Sequence, residues 1–462
     1  MNTLLDRLSR LPIPLKIVLS FAVVILVGSL LLSLPISQAP TSEATYFDHL
    51  FTAVSMVCVT GLYTQPVATT YSLFGQIINI LLIQLGGLGL ITIVAAVVMR
   101  MGRRVSVRDE LTLKEALNRN ELTDFRRFLV SVVKYTLLIE AFGMGLLSLH
   151  FIPELGLQHG LFTSLYLSVS AFNNAGFDNL GTLSMQLYVD TPLITFALST
   201  LVILGGLGFT VWFDIGRTFR ELAQRKDWKN FRHYYRKLRL HSQLVLNWTV
   251  LLLAVGTLLF LAAEWNNPDT IGQLDFDGKL QASFFQSMTT RTAGFGSIDF
   301  TQIHTVSMVF LTVLMFIGGS PGGTAGGAKT ATIALALMLV SSEIRGQDHV
   351  NYKNHTIPKE LVRRALVVVV AFIGIFFIGV LLLALFEPEA TLGYLIFEVV
   401  SSMATVGVTA NLTPELSWMS QTVIMFLMFI GRLGPITIFT ALSARQKKKK
   451  DITYATGKIL IG

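Results

Sequence analysis

Long and short apolar runs alternate along this chain in a fixed order. Eight long runs, at about residues 15–34, 74–99, 128–151, 192–215, 244–263, 306–338, 366–386 and 421–442, are each long enough to cross a bilayer as helix. That takes roughly 17–25 mostly apolar residues. Within each successive pair of long runs lies a shorter apolar stretch of about twelve residues, at 47–58, 161–173, 280–291 and 395–404. Such a stretch is too short to span the membrane and suits a helix that enters and stops midway. The pattern predicts an all-α integral membrane protein with eight transmembrane helices and four re-entrant pore helices around a central cation pore. Each unit is an outward span, a pore helix and an inward span. The units fall at residues 1–100, 101–217, 218–345 and 346–446, with a basic tail at 447–462. Cytoplasmic loops open the second and third units.

Each short stretch runs into a single glycine flanked by small or β-branched residues. The four segments are Val59-Thr60-Gly61, Asn174-Ala175-Gly176, Thr292-Ala293-Gly294 and Thr405-Val406-Gly407, and their glycines lie 115, 118 and 113 residues apart. Four equivalent backbone loops in one membrane chain suggest a ring of carbonyls able to replace the water around a bare alkali cation. Glycine suits each loop because its carbonyl turns inward without a Cβ clash. A pore helix ending at the ring points its partial negative charge toward the cation. Irregular backbone at membrane depth must line water or protein.

A second repeat follows 24 to 29 residues beyond each of these glycines. It reads Gly86-Gly87-Leu88-Gly89, Gly205-Gly206-Leu207-Gly208, Gly318-Gly319-Ser320-Pro321 and Gly431-Arg432-Leu433-Gly434. Glycine pairs permit close helix packing, which accounts for the first two copies. The third dissolves into Gly318, Gly319, Ser320, Pro321, Gly322, Gly323, Thr324, Ala325, Gly326, Gly327, Ala328, Lys329 and Thr330. In a helix glycine costs about 1 kcal/mol and proline about 3, so this run reads as an intramembrane loop beneath the ring. The fourth copy places Arg432 where a glycine stood, and an arginine inside a span needs a wet cavity or a partner. Loop and arginine together suggest a gate, with Arg432 either bonding loop carbonyls as a brace or acting as a moving part. Two enzyme motifs in the loop fail. Gly318-Gly319-Ser320-Pro321-Gly322 lacks the strand-turn-helix of a nucleophile elbow, and Gly327-Ala328-Lys329-Thr330 misses the phosphate-loop spacing.

Composition agrees with the pattern: 52% of residues are hydrophobic and 14% charged, which excludes a soluble α/β enzyme. The net charge of +8 is no nucleic-acid signature, because the basic residues concentrate in alternate loops. They lie near the N-terminus, at 100–134, 217–239 and 345–364, and after 445, while the loops carrying the glycine segments hold only Lys279 and Arg291. Positive charge marks the cytoplasmic side, so both termini are expected there and the glycine segments outside. The same basic loops suit amphipathic helices on anionic lipid or a cytoplasmic partner protein. The lysines at 447–450 read as a topology signal. A basic N-terminus before an apolar run resembles a signal peptide, but the run is long and lacks a small-residue cleavage site, so a retained first span is expected. Cys58, the single cysteine, excludes an internal disulfide; it is expected to be a small buried pore-helix residue, with a redox switch as the alternative. No His/Cys/Glu spacing for a bound metal appears. Parallel repeats argue against an inverted-repeat transporter, and no mid-span carboxylate stands out for an ion pump.

These motifs resemble the Trk/Ktr/HKT superfamily of potassium transporters, in particular its Ktr branch. The resemblance rests on Leu34-Pro35-Ile36, Cys58-Val59-Thr60-Gly61-Leu62, Gln84-Leu85-Gly86-Gly87-Leu88-Gly89 and Phe172-Asn173-Asn174-Ala175-Gly176-Phe177. It rests equally on Thr290-Arg291-Thr292-Ala293-Gly294-Phe295, Ala404-Thr405-Val406-Gly407, the glycine loop and Gly431-Arg432-Leu433-Gly434-Pro435. It covers essentially the whole chain. The resemblance implies potassium as the transported ion, a filter shaped by Gly61, Gly176, Gly294 and Gly407, and an intramembrane gate with Arg432 nearby. Trk-type subunits carry two further N-terminal helices, and the sodium-favouring serine of some HKT members is Gly61 here. The tail Gly457-Lys458-Ile459-Leu460-Ile461-Gly462 resembles the Ktr dimer element. The resemblance therefore implies a homodimer in a bacterial cell membrane, docked on a cytosolic ring of RCK subunits that bind ATP or ADP. A role for sodium ions stays open, as does an alternative as a membrane subunit associated with a sodium-translocating ATPase. Asp178 and Asp299 are expected to enrich cations at the mouth. Glu398 is expected to brace the fourth filter segment rather than attract cations.

Overall fold

The computed structural model describes residues 12–89, 125–225 and 231–443. The basic residues at 100–124, the lysines at 447–450 and the C-terminal tail lie outside these. Among the described residues four helices are long and apolar enough to cross a membrane: α1 (Ile13–Leu32), α4 (Phe125–Leu155), α8 (Leu240–Glu264) and α12 (Lys359–Phe386). Each is followed by a short helix: α2 (Tyr46–Val57), α5 (Leu157–Phe172), α9 (Phe276–Thr289) and α13 (Leu392–Met403). Next comes a glycine segment and then an inward helix: α3 (Leu73–Leu88), α6 (Pro192–Leu207), α10 (Thr305–Phe316) and α14 (Trp418–Leu433).

The outer helices keep one apolar face exposed, as lipid-facing helices must. Val23, Leu26, Val27 and Leu30 of α1 and Val370, Phe377, Leu381 and Leu385 of α12 are all exposed. The pore helices bury their sides instead; on α13 every residue from Phe397 to Met403 is buried. Two of the four short helices, α2 and α9, start at side-chain caps. Thr45 and Asp48 bond each other before α2, with the Thr45 N–H donating to Asp48 Oδ2 at 2.8 Å. Asp275 accepts from the Gly278 N–H at 2.8 Å ahead of α9. Such caps satisfy donors that the first turn leaves free.

The second and fourth inward runs read as continuous spans in sequence, and here the structure differs. After α6 the chain bends by 101° into α7 (Phe209–Arg225), and after α14 by 95° into α15 (Pro435–Ser443). With each bent pair taken as one span, the described residues offer six spans. Both bends fall at the last glycine of the motif. Gly208 and Gly434 adopt φ of 89° and 83°, a left-handed geometry that glycine takes at little cost. The third inward run breaks more widely, between Phe316 and the start of α11 (Thr330–Ile344). A two-stranded hairpin, Asn351–Tyr352 with His355–Thr356, is the only regular strand pairing among the described residues.

Candidate functional site: a ring of four backbone segments

The four glycine segments share one backbone conformation. Val59, Asn174, Thr292 and Thr405 have φ of 50°, 57°, 72° and 52°, and two residues later Gly61, Gly176, Gly294 and Gly407 have φ of 105°, 69°, 87° and 93°. Left-handed geometry is uncommon outside glycine and a clear outlier for a β-branched residue. Holding it at three β-branched positions in equivalent places marks strain that the surroundings must sustain. The support is repeated as well. The N–H of Thr60, Ala175 and Val406 donates to the carbonyl of Ser55, Ser170 and Ser401 at 2.8, 2.9 and 2.8 Å. Ser55 and Ser401 hydroxyls accept from the N–H of Gly61 and Gly407. The third segment differs: Ala293 N–H donates to Thr289 O at 2.9 Å, while the Thr289 hydroxyl donates to Phe295 O at 2.8 Å.

The segments close into a cycle. A Cβ added to Gly61 would lie 2.8 Å from the Ala175 carbonyl oxygen, one on Gly176 2.7 Å from that of Ala293, and one on Gly294 2.7 Å from that of Val406. One on Gly407 would run into the Thr60 carbonyl oxygen. Each glycine thus abuts the carbonyl before the next glycine, in the order one, two, three, four and back to one. The hydroxyl oxygens of Thr60, Thr292 and Thr405 are buried there without hydrogen-bond partners. Chemically the ring offers closely packed backbone carbonyls and no charged side chain, the donor type that suits a monovalent cation.

The first glycine of the second motif has a specific job in three units. A Cβ on Gly86, Gly205 or Gly431 would strike the carbonyl of Val57, Phe172 or Met403, the last residue of the preceding pore helix. In the third unit a Cβ on Gly318 would strike the Gly326 carbonyl of its own loop. Of the loop residues, Thr324 and Gly326 meet ring residues Asn174 and Thr405, while Ser320, Pro321, Gly322 and Gly323 meet the end of the second inward helix. Ser320 and Thr324 N–H groups donate to Gly206 and Gly205 carbonyls at 2.9 and 3.1 Å, and Phe209 N–H donates to Gly322 O at 3.0 Å. The Thr324 hydroxyl contacts Phe172 O at 3.0 Å and Asn174 Oδ1 at 2.8 Å. A Cβ on Gly326 would enter the Thr405 side chain.

Arg432 crosses from the fourth unit to this loop. Its guanidinium donates to the carbonyls of Thr324, of Gly86 at 2.6 Å and of Gly87 at 2.8 Å. One side chain so ties the loop to the first unit's inward helix. Lys329 Nζ donates to Ala325 O at 2.5 Å, within the loop. At the loop's far end Arg291 Nη2 reaches the Thr330 hydroxyl at 3.4 Å.

The flanking acids are engaged locally. Asp178 accepts from the Ser184 hydroxyl at 2.5 Å and Leu180 N–H at 3.0 Å, and Asp299 from Thr301 N–H and hydroxyl at 2.9 and 2.8 Å. Glu398 is fully buried and accepts from Thr409 at 2.8 Å and from Thr413, which joins the fourth pore helix to the chain beyond its filter segment. Cys58 is fully buried at the end of α2. One expectation fails outright. A mid-span carboxylate does exist: Glu140, near the middle of α4 and 4% exposed, accepts from Asn173 Nδ2 at 3.0 Å and Gln84 Nε2 at 3.4 Å. Its position inside the third apolar run is visible in sequence, but nothing there signals its partners, which come from α3 and the end of α5.

Taken together, broken inward helices, four re-entrant pore helices and a backbone ring define an all-α membrane protein of the cation-transporter class. The chain belongs to the TrkH family of cation transport proteins, whose model matches residues 15–451, and it is a multi-pass membrane transporter, not an enzyme. It is 39% identical to Ktr system potassium uptake protein B of Vibrio alginolyticus, over 97% of this chain and 95% of that protein. It is 35% identical to Ktr system potassium uptake protein B of Bacillus subtilis (strain 168), over 97% and 96%. Identity to the potassium/sodium uptake protein NtpJ of Enterococcus hirae is also 35%, over 96% and 95%. The crystal structure of the potassium transporter TrkH from Vibrio parahaemolyticus shares the fold, with a TM-score of 0.68 at 19% identity over 94% of this chain and 84% of that one.

Proposed function

We propose that this protein conducts potassium ions into a bacterial cell as the membrane subunit of a Ktr-type uptake system. The observation that carries the reading is the closed cycle of four glycine segments, with one carbonyl of each against the next glycine. Relatives named for potassium uptake across nearly the full chain support the choice of ion. In this reading a potassium ion sheds water at the ring, where carbonyls beside Gly61, Gly176, Gly294 and Gly407 replace its shell. The segments are Val59-Thr60-Gly61, Asn174-Ala175-Gly176, Thr292-Ala293-Gly294 and Thr405-Val406-Gly407. The Gly318–Thr330 loop acts as the gate and Arg432 as its latch, because a guanidinium bonded to three carbonyls of two units holds the loop under the ring. A homodimer and a cytosolic nucleotide-binding RCK ring complete the system. The word system in the relatives' names supports a partner subunit.

A second reading, in which sodium ions share or drive the flux, is favoured by the potassium/sodium name of one relative and by the buried Glu140. Uptake in potassium-starved bacteria lacking their own transporters tests both. Wild type should rescue growth at low potassium, while Gly61→Ser and Gly294→Ser should lose uptake or relax the preference for potassium over sodium. No potassium flux from wild type with a co-expressed RCK partner overturns the first reading. Flux that requires sodium and fails in Glu140→Gln would establish the second.

A further inference from the structure

Three buried polar atoms without a hydrogen-bond partner belong to residues that line one small cavity. They are Nε of Arg291, Nδ2 of Asn174 and the hydroxyl oxygen of Thr249. The cavity, about 20 Å3 in volume, has otherwise apolar or glycine walls that include Val202, Leu253, Met288 and Gly319. A void needs roughly 10–15 Å3 to admit one water-sized particle, so it has room for a single small occupant. Arg291, Asn174 and Thr249 are 9%, 1% and 6% exposed, which keeps bulk solvent from satisfying them.

Two other polar atoms of these side chains are engaged elsewhere. Arg291 Nη2 lies 3.4 Å from the Thr330 hydroxyl, and Asn174 Oδ1 lies 2.8 Å from that of Thr324. The buried atoms without a partner are a charged N–H, an amide N–H and a hydroxyl. Among the described residues no carboxylate lines the cavity or pairs with Arg291. A guanidinium at membrane depth without a countercharge is costly, and such residues pair or face water.

We propose that the cavity is a binding site for one monovalent anion of the halide class, held by Arg291, Asn174 and Thr249. Charge and proton count separate a halide from water here. Water leaves the guanidinium unneutralised and brings two protons, for which the Thr249 oxygen is the one unpartnered side-chain acceptor. A halide accepts from all three groups and brings no proton. Its place matters, because Asn174 belongs to the second ring segment while Gly319 and Thr330 belong to the loop. The bound anion ties ring to loop and sets a negative charge near a segment that holds cations. The site does not depend on which cation the ring carries.

Crystals of the full-length protein grown in bromide, measured for anomalous scattering, test the site directly. A single buried peak among Arg291, Asn174 and Thr249 is expected, lost in Arg291→Gln. The thermal midpoint of the purified protein should be higher in chloride than in gluconate, and that difference should vanish in Arg291→Gln. If that variant does not fold, Thr249→Val keeps the charge and volume, and should require several-fold more chloride for half its effect. Bromide found on exposed arginines such as Arg217 but absent from this cavity overturns the proposal. So does water density in the cavity together with equal midpoints in the two salts.

Discussion

The ring and the layer beside it, where the inward helices break, are built from the same four repeats and treat them oppositely. In the ring the four segments share one backbone geometry, with left-handed φ at the same two positions and each glycine against the next segment's carbonyl. One layer away, Gly86, Gly205 and Gly431 receive a pore-helix carbonyl, Gly318 receives its own loop, and Arg432 replaces the second glycine in the fourth copy. In the function proposed above, a cation on the axis would need equal distances to equal oxygens, which would keep the repeats alike. Control of passage would need one element that moves against the rest, and a single loop bonded by a single arginine would supply that asymmetry. On that proposal symmetry serves coordination and asymmetry serves gating.

The comparison breaks most sharply at Gly407. A Cβ there collides with the Thr60 carbonyl at a φ of 93°, and left-handed backbone alone costs a residue other than glycine about 1–2 kcal/mol. Gly434 is the control, with a φ of 83° and nothing within 4 Å of an added Cβ. Gly407→Ala should reduce uptake to background and Gly434→Ala should keep most of it, measured as potassium-dependent growth and rubidium influx. Equal losses would mean that strain, not the cycle, explains the glycines. Next in size is Arg432→Gln. A hydrogen bond from a charged donor is worth about 1.5–3 kcal/mol, and this change removes the charge behind three of them. The loop should loosen, so flux rises and control by the partner weakens. Cysteine labelling reads the loop itself, because Cys58 is the single cysteine and is fully buried. Thr324→Cys should react slowly alone and quickly when combined with Arg432→Gln. Unchanged labelling would show that the arginine is not the latch.

Much of this was legible in the sequence because it depends on local chemistry. Apolar run length gave the long and short helices, glycine spacing gave the ring segments, and loss of helix propensity placed the loop between Phe316 and Thr330. The bends were not legible, since Gly208 and Gly434 sit in runs whose hydrophobicity continues on both sides. Partners across the fold were hidden for another reason. Glu140 meets Gln84 and Asn173 from 56 and 33 residues away, and no periodicity encodes such a meeting. The third ring segment lacks the serine that supports Gly61 and Gly407, and its threonine bonds differently, a substitution that only geometry reveals.

The smallest effects should come from the ends of the long helices, where the third and fourth units again solve one problem differently. Glu264 closes α8 fully buried, accepting from His304 N–H at 2.9 Å and the Ser307 hydroxyl, and so caps α10. Glu387 follows α12 and accepts from Ser417 N–H at 2.7 Å, which caps α14 from a half-buried site. Burial pushes the Glu387 carboxyl up, but hydrogen bonds from Ser417 and Ser420 outweigh it and hold the group below the ordinary carboxylate value. A carboxylate depressed on folding adds stability that is complete above its unfolded value and is lost as pH falls through the folded one. Glu387→Gln should therefore lower the thermal midpoint slightly at pH 7 and not at all below the folded value. Glu264→Ala should cost more at pH 7, about 1–3 kcal/mol, because it strands the buried Ser307 hydroxyl and Asn267 amide. Thermal melts of both variants between pH 7 and pH 3.5 separate the two caps. A Glu387 effect that persists at the acid end would mean the side chain acts through packing, and the parallel between the two units would then be one of position only.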